Sequence, residues 1–286
     1  MKKNSIPRFI NLLSCLIFSF LLMPTAVLPA TNFLSPPVAQ QIRRNPANQI
    51  FPQDLQALLR NKEEIILVDV RGKEDFEKIR IPGSLNIPLH RVKTKRFLKN
   101  KSVVLVNQGY NYRTLETECQ RLIARYGFSD IRILYGGLCL WRDSGGELTG
   151  GRFALEELDT IPARDFYIDR RYNDWIIVNV AAAVPPNTDT LTGISIHVPY
   201  SGDIERLAQG LKDSISTQND ISVPYVLIFN KTGQDYKPIK KAVRNAGIQN
   251  VFYLQDGLDG YRSFIQKLAL QRQPEKKKTA GCEVCP

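Results

Sequence analysis

Cysteine is scarce in this chain: Cys15, Cys119, Cys139, Cys282 and Cys285 are the only five among 286 residues. That is too few for a fold built on disulfides. Histidine is scarcer still. His90 and His197 each follow a strand-like segment, and no cysteine or acid clusters beside either. A zinc centre needs several converging ligands, so neither a metal nor a cofactor is expected. Acids are outnumbered, 28 against 39 Lys and Arg, for a net charge of +11. The first 30 residues hold Lys2, Lys3 and Arg8 and no acid, which leaves +8 for the rest. Such an excess suits anionic ligands or surfaces but does not by itself imply nucleic acid, and no nucleic-acid partner is expected. What is abundant is ordinary: 43% hydrophobic and 23% charged residues, with 18 Gly and 17 Pro. Those proportions exclude wholesale disorder, collagen and a coiled-coil rod. The length suits one large domain or two of ordinary size.

The N-terminus has the three parts of an export signal. A basic segment runs from Met1 to Arg8, and an apolar stretch runs from Phe9 to Met23. Pro24 follows, and Pro29-Ala30 offers a small residue for cleavage. The apolar run is shorter than the roughly 20 residues that span a bilayer comfortably. Leu28 is a poor residue for a signal peptidase at its position, so an uncleaved anchor stays open, and only then is a membrane partner expected. Leu13-Ser14-Cys15 resembles a lipidation site, but the apolar run continues past Cys15. No other segment is apolar enough to span a membrane. Residues 1–30 thus read as a signal peptide, and residues 31–48, with Pro36-Pro37, Arg43-Arg44 and Pro46, as a linker.

The remainder repeats itself. Ile123 to Trp141 aligns without a gap on Val243 to Tyr261, at a constant offset. Gly127, Leu134, Gly137 and Leu138 return as Gly247, Leu254, Gly257 and Leu258, and Trp141 answers to Tyr261. Each copy suits a glycine-capped helix end, a short strand, and a glycine turn that opens another helix. Upstream, Ile65 to Val70 resembles Trp175 to Val180, and Val103 to Val106 resembles Val226 to Phe229. These runs fit strands buried on both faces. Helical patterns lie between them, at Phe51 to Arg60, Thr114 to Tyr126, Ile204 to Leu211 and Pro238 to Ala246. The alternation predicts an α/β fold with mainly parallel sheets flanked by helices.

The first copy carries a family pattern. Leu67-Val68-Asp69-Val70-Arg71, Glu74-Asp75-Phe76 and Ile81 to Pro88 resemble the opening of a rhodanese domain. Val103 to Arg113, Gly127-Phe128 and Gly136 to Trp141 resemble its later signature. The second copy is similar but eroded, with Asn179 and Ala181 where the first has Asp69 and Arg71. The resemblance implies two rhodanese-like domains in tandem, at 49–150 and 160–270, followed by a basic tail at 271–286. It also implies a reaction. Rhodaneses move a sulfane sulfur from a donor such as thiosulfate onto a loop cysteine and then to an acceptor. Loop N–H groups and the adjoining helix N-terminus keep that thiol ionised.

That cysteine is missing from both loops. The first reads Asn107-Gln108-Gly109-Tyr110-Asn111-Tyr112-Arg113, with asparagine at the strand tip. Its spacing to Arg113 is one longer than in sulfurtransferases and resembles the phosphatase and arsenate reductase branches, which also need the cysteine. The second reads Asn230-Lys231-Thr232-Gly233-Gln234-Asp235, with an acid at the arginine position of the family motif. An amide can form no thiolate. Both loops are therefore expected to be inactive by the family route. Arg113 and the loop amides could still hold an anion, or Arg113 could pair with Glu116. Cys119 and Cys139 suit core filling, and a disulfide between them stays open.

The tail offers other chemistry. Cys282-x-x-Cys285 is a dithiol spacing used for redox exchange and metal binding. The 12 steps from Leu270 to Cys282 reach up to roughly 40 Å when stretched. The leading expectation is an exported, periplasmic rhodanese-like protein. It acts as a binding or sulfur- and thiol-handling module, with a small sulfur-containing ligand, an oxyanion or an envelope protein as partner. The rivals are an enzyme, a sulfurtransferase or thiol–disulfide relay working through Cys282 and Cys285, and an inert scaffold that uses its basic surface.

Overall fold

Runs of β-branched and aliphatic residues form the strands, and left-handed glycines, Gly127 and Gly247, end two of the long helices that pack on them. The computed structural model describes residues 48–171, 175–183, 191, 194–216 and 225–271. The segment expected to be a signal peptide, the expected linker up to residue 47, and the tail with Cys282 and Cys285 lie outside the described residues.

In chain order the elements of the first half are β1 (Gln49–Ile50), α1 (Pro52–Arg60), β2 (Ile65–Asp69), α2 (Lys73–Lys78), β3 (Ile79–Arg80), β4 (Leu85–Asn86) and α3 (Leu89–Val92). A single 3-10 turn, Arg96–Leu98, precedes β5 (Ser102–Val106), α4 (Tyr112–Tyr126), β6 (Asp130–Leu134) and α5 (Gly137–Asp143). Then come β7 (Thr149–Gly150), α6 (Arg152–Glu156), β8 (Thr160–Ile161), α7 (Ala163–Asp169), β9 (Trp175–Asn179) and β10 (Ile194–His197). The chain continues through α8 (Ile204–Ser216), β11 (Tyr225–Phe229), α9 (Tyr236–Ala246), β12 (Val251–Leu254) and α10 (Gly257–Gln271).

Two five-stranded parallel sheets result. Their strand orders are β1-β6-β5-β2-β4 and β8-β12-β11-β9-β10. Each is the same path through equivalent elements, and the central pairs are in long register, Ile65 to Asp69 beside Ser102 to Val106 and Trp175 to Asn179 beside Tyr225 to Phe229. The fold is α/β, with parallel sheets flanked by helices.

Helix α4 shows why these segments fold as they do. Leu115, Cys119 and Leu122 recur along one face and are buried on the first sheet. Each such large apolar side chain contributes on the order of 1.5–3 kcal/mol when fully buried. Gly127, at φ +72°, ends the helix and donates its N–H to the Leu122 carbonyl. Helix α9 repeats the arrangement in the second sheet, with Ile239, Ala242 and Val243 buried and Gly247 at φ +69°.

The other faces of the two sheets meet. Leu67, Val104 and Val106 of the first sheet share one apolar cluster with Trp175, Ile177, Leu227, Phe229 and Phe252 of the second. Phe166 of α7 lies in the same cluster, edge-on to both Trp175 and Tyr261. The strands look buried on both faces in the sequence for this reason: one face takes the sheet's own helices and the other takes the shared interior. Among the described residues no helix is long and apolar enough to cross a membrane.

Candidate functional site

The first loop leaves β5 at Val106 and enters α4 at Tyr112. The Asn107 carbonyl accepts the Leu138 N–H at 2.9 Å, and the Gln108 carbonyl accepts the Cys139 N–H at 3.2 Å. These two bonds stitch the loop onto the turn at Gly136 and Gly137. Gly137 sits at φ +54°, and an added Cβ would fall 2.6 Å from the Asn107 carbonyl oxygen. Only glycine fits there. The Asn107 side chain turns back into the loop, where Nδ2 donates to the Tyr110 carbonyl at 2.6 Å. The residue at the strand tip is thus a brace.

Four further hydrogen bonds fix this loop, and three of them come from the second half. Gln108 Nε2 donates to the Leu158 carbonyl at 2.5 Å. The Tyr110 hydroxyl donates to Asp165 Oδ2 at 3.4 Å, and its ring stands edge-on to Phe252. Asn111, in the left-handed region at φ +60°, donates its N–H to Asp169 Oδ1 at 3.0 Å. The fourth comes from the first half: Arg71 Nη1 donates to Gln108 Oε1 at 3.0 Å.

Arg71 is the cation of this site. Its side chain is 7% exposed and pairs with the fully buried Asp69 at 2.7 Å. Nη2 also donates to the Ile79 carbonyl. The loop closes a cavity of about 220 Å³ lined by Arg71, Asp75, Asn107, Gln108, Tyr110 and Asp165 among others. Burial raises the Asp165 pKa, and the nearby Asp75 adds to that, while the Tyr110 hydrogen bond and Arg164 pull it down. Burial also drives the Tyr110 phenol up, aided by Asp165.

Arg113 does not line this cavity. It reaches outward, 61% exposed, and pairs with Glu116 at 3.3 Å. Together with His90, Lys93 and Arg121 it lines a separate open groove of about 550 Å³. Tyr112 turns inward beside Tyr135.

The second loop follows the same plan. The Asn230 carbonyl accepts the Leu258 N–H at 3.0 Å, and the Lys231 carbonyl accepts the Asp259 N–H at 3.0 Å. These bonds match those of Asn107 and Gln108. Asn230 Nδ2 donates to the Gln234 carbonyl at 2.6 Å, as Asn107 does to Tyr110. Its Oδ1 does more, accepting the N–H groups of Thr232 at 3.1 Å and Gly233 at 2.6 Å. The asparagine oxygen occupies the centre of its own loop. Asp235 is left-handed at φ +58° and precedes Tyr236, the first residue of α9. Its counterpart is therefore Asn111, which precedes Tyr112, and the residue matching Arg113 is Lys237. Counting five from Asn230, the family spacing, stops at Asp235, two residues short of Lys237.

The described thiols offer no nucleophile. Cys119 and Cys139 are free and buried, so no disulfide joins them. Burial, with help from Glu116, pushes Cys119 up to about 12. Burial also drives Cys139 upward, against a smaller opposing pull from Arg142. Cys139 lies beneath the first loop, where its Sγ donates to the Leu158 carbonyl at 3.2 Å. Both remain protonated near neutral pH, and a thiol is a far weaker nucleophile than a thiolate. His197 sits 2.9 Å from the Ala181 carbonyl. Among the described residues no three His, Cys, Asp or Glu side chains converge as a metal site would need.

A larger groove of about 890 Å³ lies beside α9 and β12. Its central carboxylate, Asp159, is held by Arg142 at 3.1 Å and by Lys240, so its buried charges are matched internally.

Sequence reasoning missed Asp165, Asp169 and the Leu158 carbonyl as partners of the first loop. They stand more than forty residues from it, and no local pattern marks them. Arg71 belongs to the quoted motif, but its reach to Gln108 was not evident from spacing.

The rhodanese-like domain family matches residues 51–144. Among solved structures, the BH2092 protein of Bacillus halodurans is 30% identical over 36% of this chain and 77% of its own, with a TM-score of 0.32. The thiosulfate sulfurtransferase of Pseudomonas aeruginosa is 22% identical over 76% of this chain and 42% of its own, also with a TM-score of 0.32. The Alr3790 protein of Anabaena sp. is 22% identical over 35% of this chain and 91% of its own, with the same TM-score. No curated protein matches the chain. The strand order, the loop stitched onto a double-glycine turn and the family match together make residues 51–144 a rhodanese-like domain.

Proposed function

We propose that the chain is a tandem of two rhodanese-like copies whose loops bind rather than react. The shared strand order and the paired loop-to-turn hydrogen bonds support the duplication. One observation carries the functional reading. At both strand tips an asparagine amide, Asn107 or Asn230, donates to a carbonyl of its own loop. The position that would carry the reacting sulfur instead braces the loop backbone.

The first loop is the binding site of the pair, since the second is filled by its own Asn230 oxygen. Arg71, the guanidinium lining that cavity, is already held by Asp69. Asp75 and Asp165 stand at the same cavity. An oxyanion would meet no unmatched cation there, so a small neutral sulfur compound suits the cavity better than sulfate. The protein works after export, as a carrier or sensor of such a compound.

The test is a thiosulfate and cyanide assay on the full chain, with thiocyanate as the readout. Formation at the uncatalysed rate is expected, unchanged in a Cys282→Ser, Cys285→Ser variant. Turnover that persists in that variant would overturn the binding reading. Turnover that the variant abolishes would move the function to the tail dithiol.

A further inference from the structure

The charge excess of this protein is concentrated in one short segment. Arg91, Lys93, Lys95, Arg96, Lys99 and Lys101 fall within eleven residues that contain no acid. Six cations are more than half of the whole chain's excess of eleven. Among the described residues, Arg91, Lys95, Arg96 and Lys99 make no ion pair, while Lys101 pairs with Glu64 and Lys93 lies over the Tyr126 ring. Lys93 also lines the open groove, but Arg113 and Arg121 there are paired with Glu116 and Glu118, so the unmatched charge belongs to the segment itself.

In the middle of this segment stands Phe97, 57% exposed. Its exposure is not fraying. Val92 and Leu98 on either side are fully buried. Successive turns bind the stretch to itself: Lys95 N–H to the Val92 carbonyl at 2.9 Å, Leu98 N–H to Lys95 at 3.1 Å, Lys99 N–H to Arg96 at 3.2 Å and Lys101 N–H to Leu98 at 3.2 Å. The Lys99 carbonyl also accepts the Ser129 N–H at 2.9 Å. A fixed turn therefore holds one aromatic ring out among long, unmatched cations. Phe153 is also exposed, but it stands beside both signs, with Arg152 paired to Glu156 and Glu157 following.

We propose that the Arg91–Lys101 face docks on an anionic lipid bilayer. The partner is chosen by how its charge and apolar matter are layered. A bilayer presents diffuse negative charge that flexible Lys and Arg side chains can meet without fixed geometry. Beneath that charge lies an apolar zone that takes a single aromatic ring at the headgroup level. An acidic protein would supply the charge, but a ring protruding from a tight turn would then need a matching pocket.

The full chain carrying Phe97→Trp tests this against vesicles of phosphatidylcholine, with or without phosphatidylglycerol. The two native tryptophans, Trp141 and Trp175, are buried, so the introduced indole dominates the change in emission. On the anionic vesicles its emission should shift to the blue and be quenched by brominated lipid, and high salt should reverse both. Pure phosphatidylcholine should leave it unchanged. Adding Lys95→Glu and Arg96→Glu should weaken binding by at least about tenfold, since each cation near such a surface is worth roughly fivefold. Lys99→Glu alone should give a smaller loss in the same direction. Vesicle attachment that leaves the indole unmoved would overturn the proposal, because another part of the chain would then be the anchor. So would an equal shift on neutral lipid. A shift with polyglutamate and none with anionic vesicles would overturn it in favour of an acidic protein.

Discussion

The two loops share a backbone plan but reach stability by different routes. Both put an asparagine at the strand tip, both are stitched to a glycine turn, and both enter their helix through a left-handed residue. The first leaves its interior open and leans on the second half, through Leu158, Asp165 and Asp169. The second is closed by the Asn230 oxygen, which takes two of its own N–H groups. A loop that must admit a ligand cannot be filled by its own side chain, so its shape has to be imposed from outside. Only the first loop meets that condition.

The strongest way to break this comparison is at its common part. Gly137 and Gly257 are both left-handed, and an added Cβ at either would press on the facing loop backbone. Alanine at either position should cost about 3 kcal/mol or more in urea denaturation. A loss below about 1 kcal/mol at one position would show that its turn does not press against its loop.

The next test separates the loops. Asn230→Ala removes three hydrogen bonds and leaves two loop N–H groups without their acceptor, whereas Asn107→Ala removes one. The first should cost about 2–3 kcal/mol and the second about 1 kcal/mol. Equal or reversed losses would contradict a self-closed second loop.

The smallest effect sharpens the role of the second half. The Asp165 pKa is raised in the folded state, mainly by burial. Its ionisation therefore opposes folding above that raised pKa, and the penalty vanishes once pH falls below the ordinary carboxylate value. Asp165→Asn should gain slightly in stability over the parent at neutral pH. The gain should fade on acidification across that window, as read from paired urea melts. A variant whose advantage grew on acidification would mean that the carboxylate is favoured in the fold.

Much of the fold was legible. The apolar runs at Ile65 to Val70 and Val226 to Phe229 mark strands to within a residue at each end. The repeat of Gly127, Gly137 and Leu138 as Gly247, Gly257 and Leu258 reappears as matched caps and matched hydrogen bonds. The helix at Ile204 runs five residues beyond its clearest pattern, to Ser216, because that last turn rests on few buried side chains. What stayed hidden was direction. Spacing places Arg113 near the loop but cannot say that its side chain turns outward to Glu116. Nor can it say that Asp169, 58 residues on, supplies the acceptor for Asn111. Strands buried on both faces read alike whether the second face meets a helix or another sheet.

The shared interior has its own consequence. Because Val104 and Val106 lie in the same apolar volume as Trp175, Leu227 and Phe252, neither sheet owns a complete core. A change of size on one side must be answered on the other.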